Sequence, residues 1–273
     1  MAPATDPAVT DMQGTPEPPG PLRLPLSPVS GDRLRPWSVA ATLVAAVAVV
    51  VAAQSGYAAL LGVVAVLALA VVAGWPAVGG SRTPAASSAV LALAAAGMLA
   101  ATVRQDVRWL PAAVALGIVA SFFHQLLRPP PRDGLVLTLV AAFGGLVLLA
   151  SGSLLVASGH DAGSRPVLVV AMVAAGVGVV GDLLVPVRAV RPFLGFVVLL
   201  LGMAVAALAA SWSDQLTVLG ALGIGAASAT LSWSFRRVLA LQPALLGTVG
   251  QLAVGCGSVL LVGSVVRLFA LLS

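Results

Sequence analysis

The chain contains no lysine, one cysteine (Cys256), one tyrosine and two histidines, and only 8% of its 273 residues carry a charge. A soluble domain carries roughly 25%. The shortage of charge, with 60% apolar residues and a mean hydropathy of +1.09, places the chain in a lipid bilayer. One cysteine excludes an intrachain disulfide and a cysteine-based metal cluster. Only five aspartates follow residue 36, and no P-loop, no His-Glu-x-x-His and no acid-rich cluster occurs, so a divalent-metal phosphotransferase has little to build with. No cofactor or metal is expected. All fourteen basic residues are arginines, and they lie between apolar blocks rather than on one basic face. They read as topology determinants, with no nucleic-acid partner implied.

Residues 1–36 hold nine of the nineteen prolines, four of the nine acids and no apolar run long enough to cross a membrane. They are expected to be a disordered cytoplasmic tail, whose "PLRLPLSP" (Pro21 to Pro28) could dock a protein partner as a polyproline helix. No signal-peptide pattern precedes the first apolar run. Residues 37–273 then form one transmembrane helical domain. A helix needs about 20 residues to span the ~30 Å hydrocarbon core, and apolar blocks of that size recur nine times. They run Ser38 to Gln54, Tyr57 to Trp75, Ala85 to Val103, Leu110 to Leu127, Gly134 to Ala157, Val167 to Val185, Pro192 to Ser211, Leu216 to Phe235 and Ala244 to Phe269. Isolated strands cannot satisfy their backbone in lipid, and no alternation of about ten residues suggests a barrel, so the fold is all-α, a polytopic bundle. The weakest boundary is "AAQSGYAA", the only break between the first two blocks.

Punctuation agrees with this segmentation. Arg-Pro pairs precede three of the blocks, where proline tolerates the first helical turn. Trp37, Trp75, Trp109, Trp212 and Trp233 fall near block ends, the depth that suits indole. With the N-terminus inside, ten arginines fall on the cytoplasmic side and four outside. That bias predicts a cytoplasmic N-terminus and, with nine spans, an extracytoplasmic C-terminus.

Ionisable groups inside spans are costly and therefore mark candidate sites. His124 lies four residues before Arg128, about 6 Å from the boundary, and Asp182 lies six before Arg188, about 9 Å. Gln251 enters from the same side, about 12 Å beyond Pro243. Helical spacing puts Ser121, Gly117 and Ala113 on the His124 face, and Gly178 and Ala174 on the Asp182 face. Small residues allow close helix approach, which points both groups into the bundle. A His124–Asp182 pair could bind a proton or a polar headgroup. Two plainer readings stand beside it: an interfacial histidine reaching water, and Asp182 paired with Arg188 or Arg191. His160 and Asp161, in "ASGHDAGSRP", read as a solvated turn. The glycines of "GTVGQLAVGCGS" permit tight crossing or flexing.

"GDLL" at Gly181 to Leu184 looks like a fragment of the phosphatidate cytidylyltransferase signature, but the continuation "VPVRAVRPFLG" lacks that family's further residues. The stretches "GWP" at Gly74 to Pro76 and "RWLPAAVALGIVASFFHQLLR" at Arg108 to Arg128, with the span-rich, lysine-free remainder, resemble uncharacterised integral membrane proteins of actinobacteria. The resemblance implies a plasma-membrane location and an all-helical fold, and no activity. Three functional expectations follow. The first is permease-like transport of a small or amphipathic solute, with His124, Asp182 and Gln251 as ligand or proton site. The others are a non-catalytic scaffold in cell-envelope assembly and an enzyme on lipid-linked substrates.

Overall fold

A computed structural model of the chain describes residues 33–104, 107–129, 134–161, 163–211 and 216–272. The proline-rich segment 1–32, Arg132 and Trp212 lie outside the described residues, and so do the expectations attached to them. Nine spans among the described residues are long and apolar enough to cross a membrane, and the chain is a multi-pass membrane protein. The single-helix spans are α1 (Pro36–Ser55), α2 (Tyr57–Val78), α3 (Pro84–Val103), α4 (Leu110–Leu127), α5 (Leu135–Ser158), α8 (Leu194–Ala210) and α9 (Val218–Leu239). The sixth span is broken into α6 (Ser164–Val177) and α7 (Val179–Leu184), and the ninth into α10 (Thr248–Leu260) and α11 (Gly263–Leu272).

The junction of the first two spans is a single residue. Gly56 has φ 122°, a conformation open to glycine and strained for other residues, so the chain reverses there between two complete helices. Proline stands in the first turn of α1, α3 and α4, as its missing N–H predicts.

Contacts at the helix ends show the spans alternating in direction. His124 at the end of α4 meets Thr83 at the start of α3, and Arg35 bonds Ala240 and Leu245 beyond α9. At the opposite end Tyr57 stacks on His160, which also approaches the Thr102 carbonyl. The α1 and α10–α11 spans lie between two groups, α2–α5 and α6–α9, with α10 touching α1, α2, α5 and α9. The ninth span is the most buried, and α4 and α8 are peripheral.

Lipid is as apolar as leucine, so the bundle holds by close packing and interhelical hydrogen bonds rather than by burial from water. Gly202 of α8 faces Gly225 of α9, where a Cβ on either would collide with the other's carbonyl oxygen. A Cβ on Gly255 would lie 2.6 Å from the Ser38 carbonyl oxygen of α1. The break in the ninth span is met by α5: Ser151 Oγ donates to the Leu261 carbonyl (2.8 Å) and accepts from the Ser264 amide (2.9 Å). Gly263 lets the backbones approach there, since a Cβ would strike the Ser151 carbonyl.

The indole pattern is only partly interfacial. Trp37 and Trp109 are exposed, but Trp75 is 7% exposed, donates to the Ala141 carbonyl (2.7 Å) and stacks on Phe235. It is a core residue, because α2 continues through Pro76 to Val78 instead of ending at Trp75. Trp233 packs against Gly181 and Gly195 inside the bundle.

Replacing Ser151 by Ala should lower stability by about 1–3 kcal/mol, because the Ser264 amide loses its acceptor and the Leu261 carbonyl loses one of its two side-chain donors. Ser153→Ala should cost less, since Ser153 only back-bonds to Leu149 in its own helix. Thermal unfolding in detergent measures both; equal losses would refute the role given to Ser151.

Candidate functional site

The structure separates the three residues singled out from the sequence. His124, on α4, lies 3.4 Å from Thr83 Oγ1 and lines a small cavity with Ser87, Ser121, Gln125 and Thr138 and the apolar Val90, Leu139 and Ala142. That cavity, about 10 Å³, has room for about one water. Asp182 sits on α7 in a different cleft, against α1 and α9. The expected His124–Asp182 pair is therefore corrected: α4 packs on α3 and α5, whereas α7 packs on α1, α6, α8 and α9. Each group does face inward on small residues. Gly117 abuts Leu146 and Ala94, and Gly178 abuts the Ala229 carbonyl.

Asp182 pairs with Arg236, not with Arg188 or Arg191. Arg236 Nε donates to Asp182 Oδ2 at 2.7 Å, and their side chains are 3% and 17% exposed. Arg191 instead turns its Nε to the Val185 carbonyl (2.8 Å). The sequence places Arg236 in a loop after Phe235, but α9 runs on to Leu239 and carries the guanidinium inside. A signal for this exists in the sequence. Ile224, Ser228, Ser232 and Arg236 recur every four residues, and that face is the buried one.

From Arg236 the polar contacts spread to two more spans. Its Nη1 donates to Ser232 Oγ (2.6 Å) and to Ser258 Oγ of α10 (3.2 Å). Ser258 donates to the Gly255 carbonyl (2.7 Å) and lies 3.2 Å from Thr42 Oγ1 of α1. One guanidinium thus ties α7, α9, α10 and, through Ser258, α1. Its Nη2 is buried and has no hydrogen-bond partner.

Arg35, just before α1, reaches across to the Ala240 carbonyl and donates from Nη1 to the Leu245 carbonyl (3.1 Å). Burial, then the neighbouring Arg237 charge, pulls the Arg35 guanidinium below its ordinary pKa. Gln251 uses the same Leu245 carbonyl, donating from Nε2 at 3.0 Å, while its Oε1 accepts from the Trp37 amide (3.2 Å). Its amide is a clamp on the start of α1. It is also shallower than the spacing predicts, because Pro243–Leu246 form a 3-10 turn and α10 begins only at Thr248.

The cleft above this pair is lined by Arg33, Arg35, Asp182, Arg236 and Arg237, among others. Among the described residues its lining holds four arginines and one carboxylate. It can bind and orient an anion; it offers no nucleophile with an adjacent base, and no group of three metal-ligating side chains occurs among the described residues. Asp161 accepts from Ser164 Oγ and the Gly163 amide, so that turn is locally satisfied. No protein-family model, curated protein or solved structure matches the chain.

Arg236→Met alone should destabilise the protein by about 3–5 kcal/mol, because the buried Asp182 loses the donor that contacts it. Adding Asp182→Asn should recover much of that loss. A double-mutant cycle on thermal unfolding reads the coupling; additive losses would mean the pair does not act as a unit.

Proposed function

We propose that the protein is a permease-like carrier of a small or amphipathic solute in the plasma membrane, with its N-terminus cytoplasmic. The observation that carries this reading is the buried Asp182–Arg236 pair, with Asp182 on the last turn of a broken span, lining a small cationic cleft of about 30 Å³. Charges held within a membrane domain line solute and ion pathways, and broken spans are where carriers bind their substrates. The second break, in the ninth span, begins three residues after Ser258, which contacts Arg236. The solute site is therefore the Arg236 cleft, with Asp182 retained from the sequence-derived set and His124 and Gln251 outside it. The arginine distribution supports the orientation: Arg33, Arg35, Arg82, Arg128, Arg188, Arg191, Arg236 and Arg237 sit at one end of the alternating helices.

Reconstituted into liposomes, the protein should move fluorescent amphipathic anions across the bilayer faster than protein-free vesicles do. The double variant Asp182→Asn/Arg236→Gln should slow that flux by about tenfold, equivalent to ~1.4 kcal/mol on the barrier. No flux above protein-free vesicles across a panel of such anions overturns the carrier reading. For orientation, reporters fused after Arg132 should be cytoplasmic and reporters at Ser273 extracytoplasmic; a reversed pattern overturns the topology.

A further inference from the structure

The cationic cleft does not end at its arginines. Val39 and Asp182 line it, and one helical turn further along α1, at Leu43, an apolar groove begins. This groove runs between α1 and α6–α7 past Val47, Val51 and Val173 to a volume of about 480 Å³, within the range of ligand sites. Its floor includes Gly176, whose missing side chain leaves space against Leu43 and Ala46. Val47, Val51 and Leu183 are well exposed, so the groove opens to the side of the bundle, where lipid lies. Cleft and groove share α1 and α7, and they differ sharply in character: one carries four arginines and one aspartate, the other only apolar residues.

A second observation points to an anion. Arg236 is 4% exposed, lines the cleft, and keeps Nη2 buried without a partner; Arg35 Nε is likewise buried and unpartnered. Unused guanidinium donors among clustered arginines match the oxygens of a phosphate. Basic pockets between membrane helices at the cytoplasmic side suit anionic headgroups.

We propose that cleft and groove together bind one anionic membrane lipid, its phosphate held by Arg35 and Arg236 with Arg33 and Arg237 at the rim, and an acyl chain along α1 and α6. This names the solute class for the carrier reading, on which it rests only for the claim that the bound lipid is also moved. A second apolar groove, between α1, α2 and α10 around Val66, has no charged residue in its lining and makes no such match.

The test titrates the full-length protein in detergent micelles with phosphatidic acid bearing a fluorescent acyl chain. Arg33→Gln/Arg237→Gln, at the cleft rim, should weaken binding about 25-fold, at about fivefold per arginine. Val47→Trp, which fills the groove, should weaken it as well, while Val66→Trp in the second groove should not. Equal binding of phosphatidylcholine with the same chain overturns the proposal, as does a matching loss in Val66→Trp. Full competition by glycerol 3-phosphate, with Val47→Trp unaffected, would make the site one for a free anion and also overturn it. If the lipid binds as expected but is not moved in liposomes, the site stands and the carrier reading fails. If flux persists while the rim and groove variants bind normally, the carrier reading stands and this site fails.

Discussion

The structure depends on one charged interaction, the contact of Arg236 with Asp182. A guanidinium that is almost wholly buried in a membrane protein is tolerable only when its charge is balanced and most of its N–H groups find acceptors. Asp182 provides the balance, and Ser232 and Ser258 provide acceptors. Those partners sit on three different helices, so the requirement of one side chain fixes how α7, α9 and α10 meet. Thr42 brings α1 into the same arrangement through Ser258. Removing the charges together is a mild change in principle, whereas removing one strands the other, which is why the pair constrains the fold more than it stabilises it.

The remaining architecture brings these helices close enough for short side chains to reach. Serine and threonine hydroxyls extend little beyond the helix surface, so Ser258 and Thr42 can meet only where backbones nearly touch. Gly255, set against the Ser38 carbonyl, provides that approach between α10 and α1. Gly178 does the same between the sixth span and α9, immediately before the turn that carries Asp182. The two helix breaks fit the same logic. Backbone groups freed at a break must find partners inside the protein, and Ser151 meets that need for Leu261 and Ser264.

How much of this could be read from the sequence follows from the range of each signal. The nine spans were legible because length and apolarity alone meet the thickness of the bilayer. The inward aim of Asp182 was legible too, from Gly178 and Ala174 at helical spacing. Its partner was not. Positive charge ordinarily ends a span, so Arg236 reads as the edge of a loop, and nothing local says that α9 continues past it. The serines at four-residue spacing before Arg236 were the available clue, since hydroxyls on one face prepare a path for a buried cation. His124 failed as a partner for a different reason: which helices are neighbours is set by the packing of the whole bundle, and α4 lies at its edge. Trp75 misled because depth cannot be judged from a span end that proline falsely marks.

The cleft gives the arrangement its functional sense. Here Asp182 occupies the Nε side of Arg236 and leaves Nη2 without a partner, while Arg35 is held close by and Arg33 and Arg237 line the same cleft. An incoming anion would therefore add to the pair instead of displacing Asp182. The carboxylate then acts as a counterweight to the arginines that line the cleft beside a low-dielectric groove. Attraction between unit charges weakens with the dielectric constant of the path between them, so a headgroup at this mouth feels the arginines more strongly than one in open water. An apolar chain gains nothing from the cleft itself, but the adjoining groove between α1 and α6–α7 lets it remain in a lipid-like setting. On the proposed reading, charge and shape would favour the same kind of molecule, one that is anionic at one end and apolar along the other.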